Sequence, residues 1–288
     1  MSEATVRYET PAEGVARVVM ARGHKRNAQD LQMTYELNDA FDKAARDDSI
    51  KVIILAADDP VFSAGHDLSG DGDKTWRDFP VVGTFAGFDS DGAAGRYGRE
   101  MEIYIEMTER WRNLAKPTIA QVQGKCVAGG LMLAWACDLI VCSDDAQFRD
   151  PVVEMGIPGV EFFQHAYEVG VRKAKEWLFT SDWIEAEEAK ALGMVNQVVP
   201  RAALEAATLG LAQKIATKPM FALRLTKQAV NFAQDQMGRR ASMQHAFGLH
   251  HLAHTHNLVA HGIPVDPGGI PKTVTTRFGP KAAAGDDD

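Results

Sequence analysis

The 288-residue chain has the composition of a globular protein, with 45% hydrophobic and 24% charged residues, and it is long enough for a sizeable buried core. Its apolar stretches are too short to cross a bilayer, and its first residues show no basic flank leading into an apolar segment, which argues against a membrane span and a secretory signal. The net charge of −8 argues against a nucleic-acid partner, so an anionic ligand would need a local cluster of Lys and Arg.

The first elements alternate between strand and helix patterns. Residues 5–9 and Val15–Met20 have the composition of strands. Over Leu31–Arg46, apolar residues recur at three- and four-residue spacing, which predicts an amphipathic helix with Asp30 as its N-cap. Residues 51–57 form a continuous apolar run, typical of a strand buried on both faces. The order strand, helix, strand indicates an α/β protein.

The middle of the chain begins with a glycine-rich stretch, residues 69–99, which predicts a mobile loop or lid. A helical pattern then covers residues 100–115 and ends before Lys116-Pro117. Residues 118–123 and 139–142 predict two further short strands.

The last third of the chain has a different pattern. Residues 201–260 contain only helical patterns, with breaks at Pro219 and Gly238 that predict three helices. From residue 265 onward the chain is rich in Pro, Gly and Ala and ends in three aspartates, which predicts a disordered tail.

Three cysteines, Cys126, Cys137 and Cys142, cannot all pair, and none belongs to a CxxC motif. This pattern favours reduced thiols in a protein core over a redox or metal-binding role. We therefore expect a cytoplasmic protein, since reduced thiols persist in that compartment.

Two glycine-containing segments each follow a predicted strand. Residues 61–68 have the sequence VFSAGHDL, and residues 124–131 have the sequence GKCVAGGL, which opens a helix near Gly130. Either segment alone is typical of a tight turn, in which a glycine adopts a positive φ or lets two backbones approach closely.

The two segments together, in the order FSAGxDL, GxxxAGG and then ACD, resemble the enoyl-CoA hydratase/isomerase (crotonase) family. The resemblance continues through GIPG at residues 156–159 and AKALGMVNQVV at residues 189–199, and it covers residues 5–260. It implies an α/β, ClpP-like crotonase spiral of repeated ββα units in residues 1–200 and a helical oligomerisation region in residues 201–264, ahead of a tail in residues 265–288. It also implies homotrimers or dimers of trimers.

The resemblance further implies an acyl-CoA enzyme that stabilises a thioester enolate. The donors would be the backbone N–H groups of His66 and Gly129, which form an oxyanion hole around the thioester oxygen. Losing one such donor typically costs on the order of 3 kcal/mol of barrier height. By the same resemblance Ala64, Lys25, Arg26 and Lys227 are candidates for contacts with coenzyme A. Coenzyme A enters as part of the substrate, so no separate cofactor is expected.

The chain departs from the family at the two glutamates that usually perform proton transfer. The matching positions hold Met132 and Val152, and neither side chain can move a proton. Glu161 is the leading replacement, and Glu154 is a second candidate. His66 is a third, because the tetrad AGHD resembles the methylmalonyl-CoA decarboxylase branch, whose histidine lies beside the substrate carboxylate.

Three functions therefore stay open. The first is an enoyl-CoA hydratase/isomerase-type lyase with proton transfer reassigned to Glu161. The second is an acyl-CoA decarboxylase or thioester hydrolase that uses His66. The third is a non-catalytic acyl-CoA binding protein. We expect Asp67 to brace the first turn through local hydrogen bonds in each case.

Six histidines crowd the last predicted helix: His245, His250, His251, His254, His256 and His261. The spacing of His250 and His254 is compatible with a metal site. No cysteine or paired carboxylate accompanies them, however, and the resemblance implies no metal in this region. We therefore expect no metal site, and a helix buried at a subunit contact.

Overall fold

The computed structural model describes residues 4–70 and 74–270. Within them, a six-stranded sheet has the order β1-β2-β3-β4-β6-β9, and a three-stranded sheet has the order β5-β7-β8. The strands are β1 (Val6–Ala12), β2 (Val15–Met20), β3 (Val52–Ala57), β4 (Thr118–Val122), β5 (Lys125–Val127), β6 (Leu139–Ser143), β7 (Gln147–Arg149), β8 (Ile184–Glu185) and β9 (Gln197–Val199). The α-helices are α1 (Leu31–Arg46), α2 (Gly92–Glu100), α3 (Met107–Arg112), α4 (Gly129–Trp135), α5 (His165–Val169), α6 (Val171–Thr180), α7 (Ala186–Ala191), α8 (Leu204–Ala216), α9 (Met220–Gln236) and α10 (Arg239–His261).

From β4 to β7, successive strands alternate between the two sheets. The pairs β2–β3, β3–β4, β4–β6 and β6–β9 are parallel in the larger sheet, while β5 and β7 pair in parallel in the smaller one. Between β3 and β4 the chain also reaches the smaller sheet, since Ser63 forms a bridge with Cys126 of β5. Because β3, β4 and β6 are each followed by such a short pairing segment, the chain winds as a spiral of repeated units. The predicted α/β class is confirmed.

Helix α1 spans the predicted residues. The Asp30 side chain accepts a hydrogen bond of 2.8 Å from the N–H of Met33, as an N-cap does. Its apolar face, which includes Leu37 and Phe41, is buried in the main core. The predicted buried strand is β3, whose residues Val52–Ala57 are almost fully covered.

The prediction of a loop over residues 69–99 is wrong in its last part, because Gly92–Glu100 forms helix α2. The helical rod then continues as a π-helical segment, Met101–Glu106, before α3. A Cβ on Gly95 would lie 1.9 Å from the Ser90 carbonyl oxygen, so this glycine serves close packing. The glycines of α2 therefore lie in a helix, although the sequence pattern indicated a loop.

The three predicted C-terminal helices are α8, α9 and α10, separated at the predicted breaks. Helix α8 packs its buried Leu204 and Ala212 against the main sheet. The prediction that disorder begins at residue 265 is wrong for residues 265–270, since Val265 and Ile270 are buried beside Ile157. The rest of the predicted tail, residues 271–288, lies outside the described residues. No helix in the described ranges combines the length and apolarity that a bilayer span requires.

Candidate active site

The two glycine turns lie against each other. Ser63 of the first turn accepts a hydrogen bond of 3.0 Å from the N–H of Val127 in the second. Gly65 has a φ of +90°, and a Cβ built on it would lie 2.9 Å from the Val127 carbonyl oxygen and 3.2 Å from the Gly129 nitrogen. Only glycine allows both the positive φ and this approach. The turns that the sequence singled out are therefore in direct contact.

This contact brings the two expected amide donors together. Gly129 is the first residue of α4, so its N–H has no partner within the helix. The N–H of His66 donates no hydrogen bond to another described residue. Ala128, directly before Gly129, has φ +46° and ψ −113°, a strained conformation that typically costs about 1–3 kcal/mol. Strain of this kind is common where a backbone is held for function.

His66 and Glu161 form the central pair of side chains. Nε2 of His66 lies 3.1 Å from Oε2 of Glu161, and the His66 ring stacks on Tyr104 with centroids 4.0 Å apart. The other ring nitrogen, Nδ1, is buried and has no hydrogen-bond partner within residues 4–70 and 74–270. A Cβ on Gly129 would lie 2.7 Å from this nitrogen. The free nitrogen of His66 therefore lies at the turn that carries the amide donors.

The two charges of this pair reinforce each other. Burial lowers the pKa of His66, but the charge and hydrogen bond of Glu161 outweigh burial, and the pKa is raised above its ordinary value of 6.5. Burial raises the pKa of Glu161, but His66 and His250 outweigh burial and hold the pKa below its ordinary value. The pair thus favours an imidazolium beside a carboxylate.

Glu161 is held by residues that the sequence did not single out. The N–H of Val160 donates a 3.0 Å hydrogen bond to Oδ2 of Asp150, which also lies 2.8 Å from Nε2 of His165. Asp150 and His165 are fully buried. Their spacing gave no helical or strand signal, so only the fold could reveal that they fix the loop before Glu161.

A cavity of about 570 Å³ opens beside the pair and is lined by His66, Tyr104, Val152 and Glu161, among others. Val152 therefore presents an apolar side chain where the family would place a glutamate. Met132 is buried in the main core. The expected loss of both usual carboxylates is consistent with these positions.

The wall of the cavity carries a second polar cluster, which adjoins the central pair because Nε2 of His250 lies 3.4 Å from Oε1 of Glu161. His250, His251 and His254 of α10 face Glu100 at the end of α2. Burial lowers the pKa of His254. His250, His251 and His254 are buried within the chain itself, whereas His245, His256 and His261 are exposed, so the expected burial of α10 at a subunit contact stays a prediction for its exposed face.

The candidate coenzyme A contacts divide into two groups. Lys25 and Arg26 are exposed, and the Arg26 carbonyl accepts a 3.0 Å hydrogen bond from the N–H of Ala64, so these three residues border the first turn. Lys227 does not join them. It is 9% exposed, and its Nζ lies 2.9 Å from Asp138, so an ion pair already occupies its charge, which argues against the expected phosphate contact.

Two other acidic candidates are accounted for. Glu154 pairs with Arg149 at 2.6 Å and is not among the residues that line the cavity, which argues against it as the replacement carboxylate. Asp67 accepts hydrogen bonds from Ser69 and from Arg22 at 2.9 Å, which confirms its expected bracing of the first turn.

Comparison with known proteins gives concordant results. A sequence model of the family "Enoyl-CoA hydratase/isomerase" matches residues 10–78 and 85–263. The Mycobacterium tuberculosis protein named as an enoyl-CoA hydratase, EchA13, is 45% identical over 258 residues, which is 87% of this chain and 81% of that protein. The 4-chlorobenzoyl coenzyme A dehalogenase-2 of an Arthrobacter species is 31% identical over 76% of this chain and 75% of its own length.

Solved structures agree. A crystal structure described as an enoyl-CoA hydratase from Mycobacterium smegmatis superposes with a TM-score of 0.83 at 43% identity, covering 92% of this chain and all of that one. The expected crotonase fold is thereby confirmed. The matches agree with the two glycine turns and the spiral of paired strands. The chain therefore belongs to the enoyl-CoA hydratase/isomerase family.

Proposed function

We propose that the protein binds an acyl-CoA thioester with its carbonyl oxygen between the N–H groups of His66 and Gly129. The contact of the two turns and the lack of other described partners for these amides support this placement. The names of its relatives, an enoyl-CoA hydratase and a 4-chlorobenzoyl coenzyme A dehalogenase, share coenzyme A thioesters as their common feature. Fixed amides stabilise the negative charge that gathers on this oxygen as the thioester becomes an enolate.

The proposed chemical step is proton transfer at the α-carbon by Nδ1 of His66. The observation that carries it is the arrangement of the ring, in which Nε2 faces Glu161 and Nδ1 is left without a partner beside Gly129. Glu161 accepts the Nε2 proton, fixes the ring and raises its pKa. In this reading Glu161 is a positioning residue, not the acid or base itself, which revises the role expected from the sequence.

The reaction class that we propose is that of the enoyl-CoA hydratases and isomerases. A single group that removes and returns a proton, together with an oxyanion hole, suffices to form and reprotonate an enolate. In hydration, Nδ1 of His66 would take a proton from the water whose oxygen bonds to Cβ, and the imidazolium would return that proton to Cα of the enolate. Coenzyme A enters with the substrate, and Lys25, Arg26 and Ala64 are proposed to border it. Lys227 is not included, because its charge is paired with Asp138.

Exchange of α-protons for solvent deuterium tests the shared step. Butyryl-CoA, a saturated thioester, incubated with the enzyme in D₂O should incorporate deuterium at its α-carbon, and crotonyl-CoA should be hydrated. His66→Ala should lower the exchange rate by about 10²-fold or more, the usual weight of a positioned acid/base group, without abolishing acyl-CoA binding. His245→Ala, an exposed residue of α10, is the matched control.

The outcomes separate the three functions. Binding without exchange or hydration would favour the acyl-CoA binding protein. Release of CO₂ from a carboxyacyl-CoA, or of free coenzyme A, each dependent on His66, would favour the decarboxylase or hydrolase. Exchange that is unaffected by His66→Ala would contradict the proposed proton-transfer role.

We also propose that copies of the chain associate as trimers or dimers of trimers. Helix α9 supports this, since Lys227 is its only buried residue within the described chain and it exposes Phe221, Leu225, Val230 and Phe232. Apolar side chains this numerous on one helix are typical of a surface that another protein covers.

A further inference from the structure

Three histidine side chains of α10 converge on one carboxylate oxygen of Glu100 at the wall of the cavity. Oε2 of Glu100 lies 4.0 Å from Nε2 of His250, 3.2 Å from Nε2 of His251 and 3.8 Å from Nε2 of His254. This oxygen is buried and accepts no hydrogen bond from any group in the described ranges. A buried carboxylate oxygen without a hydrogen bond needs a positive partner, which here is either a protonated histidine ring or a bound cation.

The backbone fixes the proton positions on two of the rings. Nδ1 of His250 lies 3.0 Å from the Gly159 carbonyl oxygen, and Nδ1 of His254 lies 2.6 Å from the Pro264 carbonyl oxygen. A carbonyl only accepts, so each Nδ1 carries a proton and donates it. In the neutral ring the lone pair is then on Nε2, which faces Glu100. Histidines that bind metals are oriented in this way by a hydrogen bond from the other nitrogen.

The three groups also satisfy the geometry of a chelating site. His250 and His254 are four residues apart on α10 and therefore project from the same face of the helix. One ligand atom from each of Glu100, His250 and His254 lies within 4.8 Å of the others. Two imidazoles and one carboxylate are the protein ligands of several catalytic zinc and non-haem iron sites, which keep a coordination position open.

We propose that Glu100, His250 and His254 bind a divalent transition-metal ion of the Zn²⁺ type, with an open coordination position toward the acyl cavity. The site would place a Lewis acid in the cavity beside the His66–Glu161 pair, where it would take water or an oxygen of the acyl group as a further ligand. Nε2 of His251 lies 3.2 Å from the same Glu100 oxygen, and His251 is not one of the proposed ligands.

Charges around the site make Glu100 the decisive ligand. Arg96 lines the same cavity and repels a cation, and two neutral imidazoles cannot offset that repulsion. Glu161 lies 3.4 Å from Nε2 of His250 and adds a second negative charge nearby. Replacing Glu100 by the neutral, similarly shaped glutamine should therefore lower the affinity for the metal ion while leaving the fold largely undisturbed.

Direct titration with the metal alone tests the site. The full-length protein, freed of any affinity tag and stripped with a chelator, is titrated with Zn²⁺ by calorimetry and with Co²⁺ by visible absorption. We expect one ion per chain and a Kd for Zn²⁺ below about 10 μM, an affinity that both titrations can measure. Glu100→Gln and His254→Ala should each weaken binding by more than about 100-fold, beyond what loss of an outer-shell partner costs.

Two control variants replace a histidine by alanine, as His254→Ala does, but at residues outside the proposed ligand set. His256→Ala removes an exposed histidine from the same helix and should leave the affinity unchanged. His66→Ala removes the proposed proton-transfer group but no proposed ligand, so it should bind Zn²⁺ normally and separates failure of this site from failure of the proposed function. Zn²⁺ should also raise the thermal midpoint of the wild type reversibly.

Three results would overturn the proposal. One is wild-type protein without saturable Zn²⁺ or Co²⁺ binding, in which case the cluster is a set of imidazolium–carboxylate pairs. Another is equal affinity in folded Glu100→Gln. The third is a loss in His256→Ala as large as in His254→Ala. If His254→Ala does not fold, the comparison of wild type with Glu100→Gln decides.

Discussion

His66 is subject to two opposing influences on its pKa. Burial favours the neutral ring, whereas the carboxylate of Glu161 favours the imidazolium and prevails. The negative charges of Glu100 and Asp150 also raise the pKa of His66, but by less than Glu161 does. The protonation state of the proposed catalytic group therefore depends mainly on one neighbour.

This dependence predicts a shift in the pH profile of Glu161→Gln. In the wild type, removal of an α-proton by neutral Nδ1 should increase with pH through a His66 pKa above 6.5. The variant keeps the burial but loses the opposing charge, so the pKa should fall and the inflection of kcat/KM should move to lower pH. Its kcat should also fall by about 10-fold or more, because the ring is no longer fixed.

The measurement combines the pH dependence of α-proton exchange with NMR titration of the His66 ring. A structural defect alone would lower the rate at all pH values without moving the inflection. Glu154→Gln, which neutralises an exposed glutamate outside the cavity, is the matched control and should leave both quantities unchanged. An unmoved His66 pKa in Glu161→Gln would contradict the pairing.

At the scale of elements, the junction between β5 and α4 determines the geometry of the proposed oxyanion hole. Ala128 is strained at this junction, and Gly129 lies directly under the His66 ring. The ring has little room to move, since it is stacked on Tyr104 and bound to Glu161. Any side chain at residue 129 must therefore displace either the ring or the helix start.

Gly129→Ala tests this packing. Its Cβ would lie 2.6 Å from Cε1 of His66, closer than real Cβ contacts, so the ring must shift. We expect turnover to fall by about 10²-fold, since a misplacement near 1 Å has effects of that order, and the thermal midpoint to fall as well. Activity and thermal unfolding would be measured side by side.

Gly210→Ala in α8 is the matched control, because nothing lies within 4 Å of the Cβ it would add. It should be neutral or stabilising by up to about 1 kcal/mol, the helix preference of alanine over glycine. Full activity in Gly129→Ala would show that the His66 ring does not lie on the second turn.

The sequence allowed some elements to be predicted and not others, for physical reasons. Helix α1 has two local signals, the N-cap Asp30 and a regular apolar face, so its residues were predicted correctly. Helix α2 contains three glycines, and their low helix propensity concealed a helix that tertiary packing stabilises. Local patterns cannot indicate that a packing partner will offset an unfavourable propensity.

The candidate site shows the same division. The two turns could be found because their glycines are required by backbone geometry, which leaves a fixed sequence pattern. The pairing of Glu100 with His250 and His254 could not, because residues far apart in sequence meet only through the folding of α10 over α2. The histidine spacing was visible, but the carboxylate that completes the set was not.

At the scale of the whole molecule, the net charge opposes the association of copies, whereas the exposed apolar surface favours it. A net charge of −8 keeps copies apart at long range and is screened by salt. Helix α9 nevertheless exposes Phe221 by 70% and Phe232 by 64% of their surface. Burying such a side chain fully is worth roughly 1.5–3 kcal/mol, so several per copy outweigh screened repulsion.

We therefore expect the protein to sediment as a multiple of three times its 31.4 kDa chain mass at micromolar concentration. Phe232→Glu should dissociate it, because the variant buries an unpaired charge where an apolar contact forms. Gln213→Glu adds the same charge to an exposed position of α8 and should leave the assembly intact. Light scattering at several salt concentrations measures both variants, and high salt should strengthen the wild-type assembly as the like charges are screened. A wild-type monomer at these concentrations would contradict the proposed association of copies through α9.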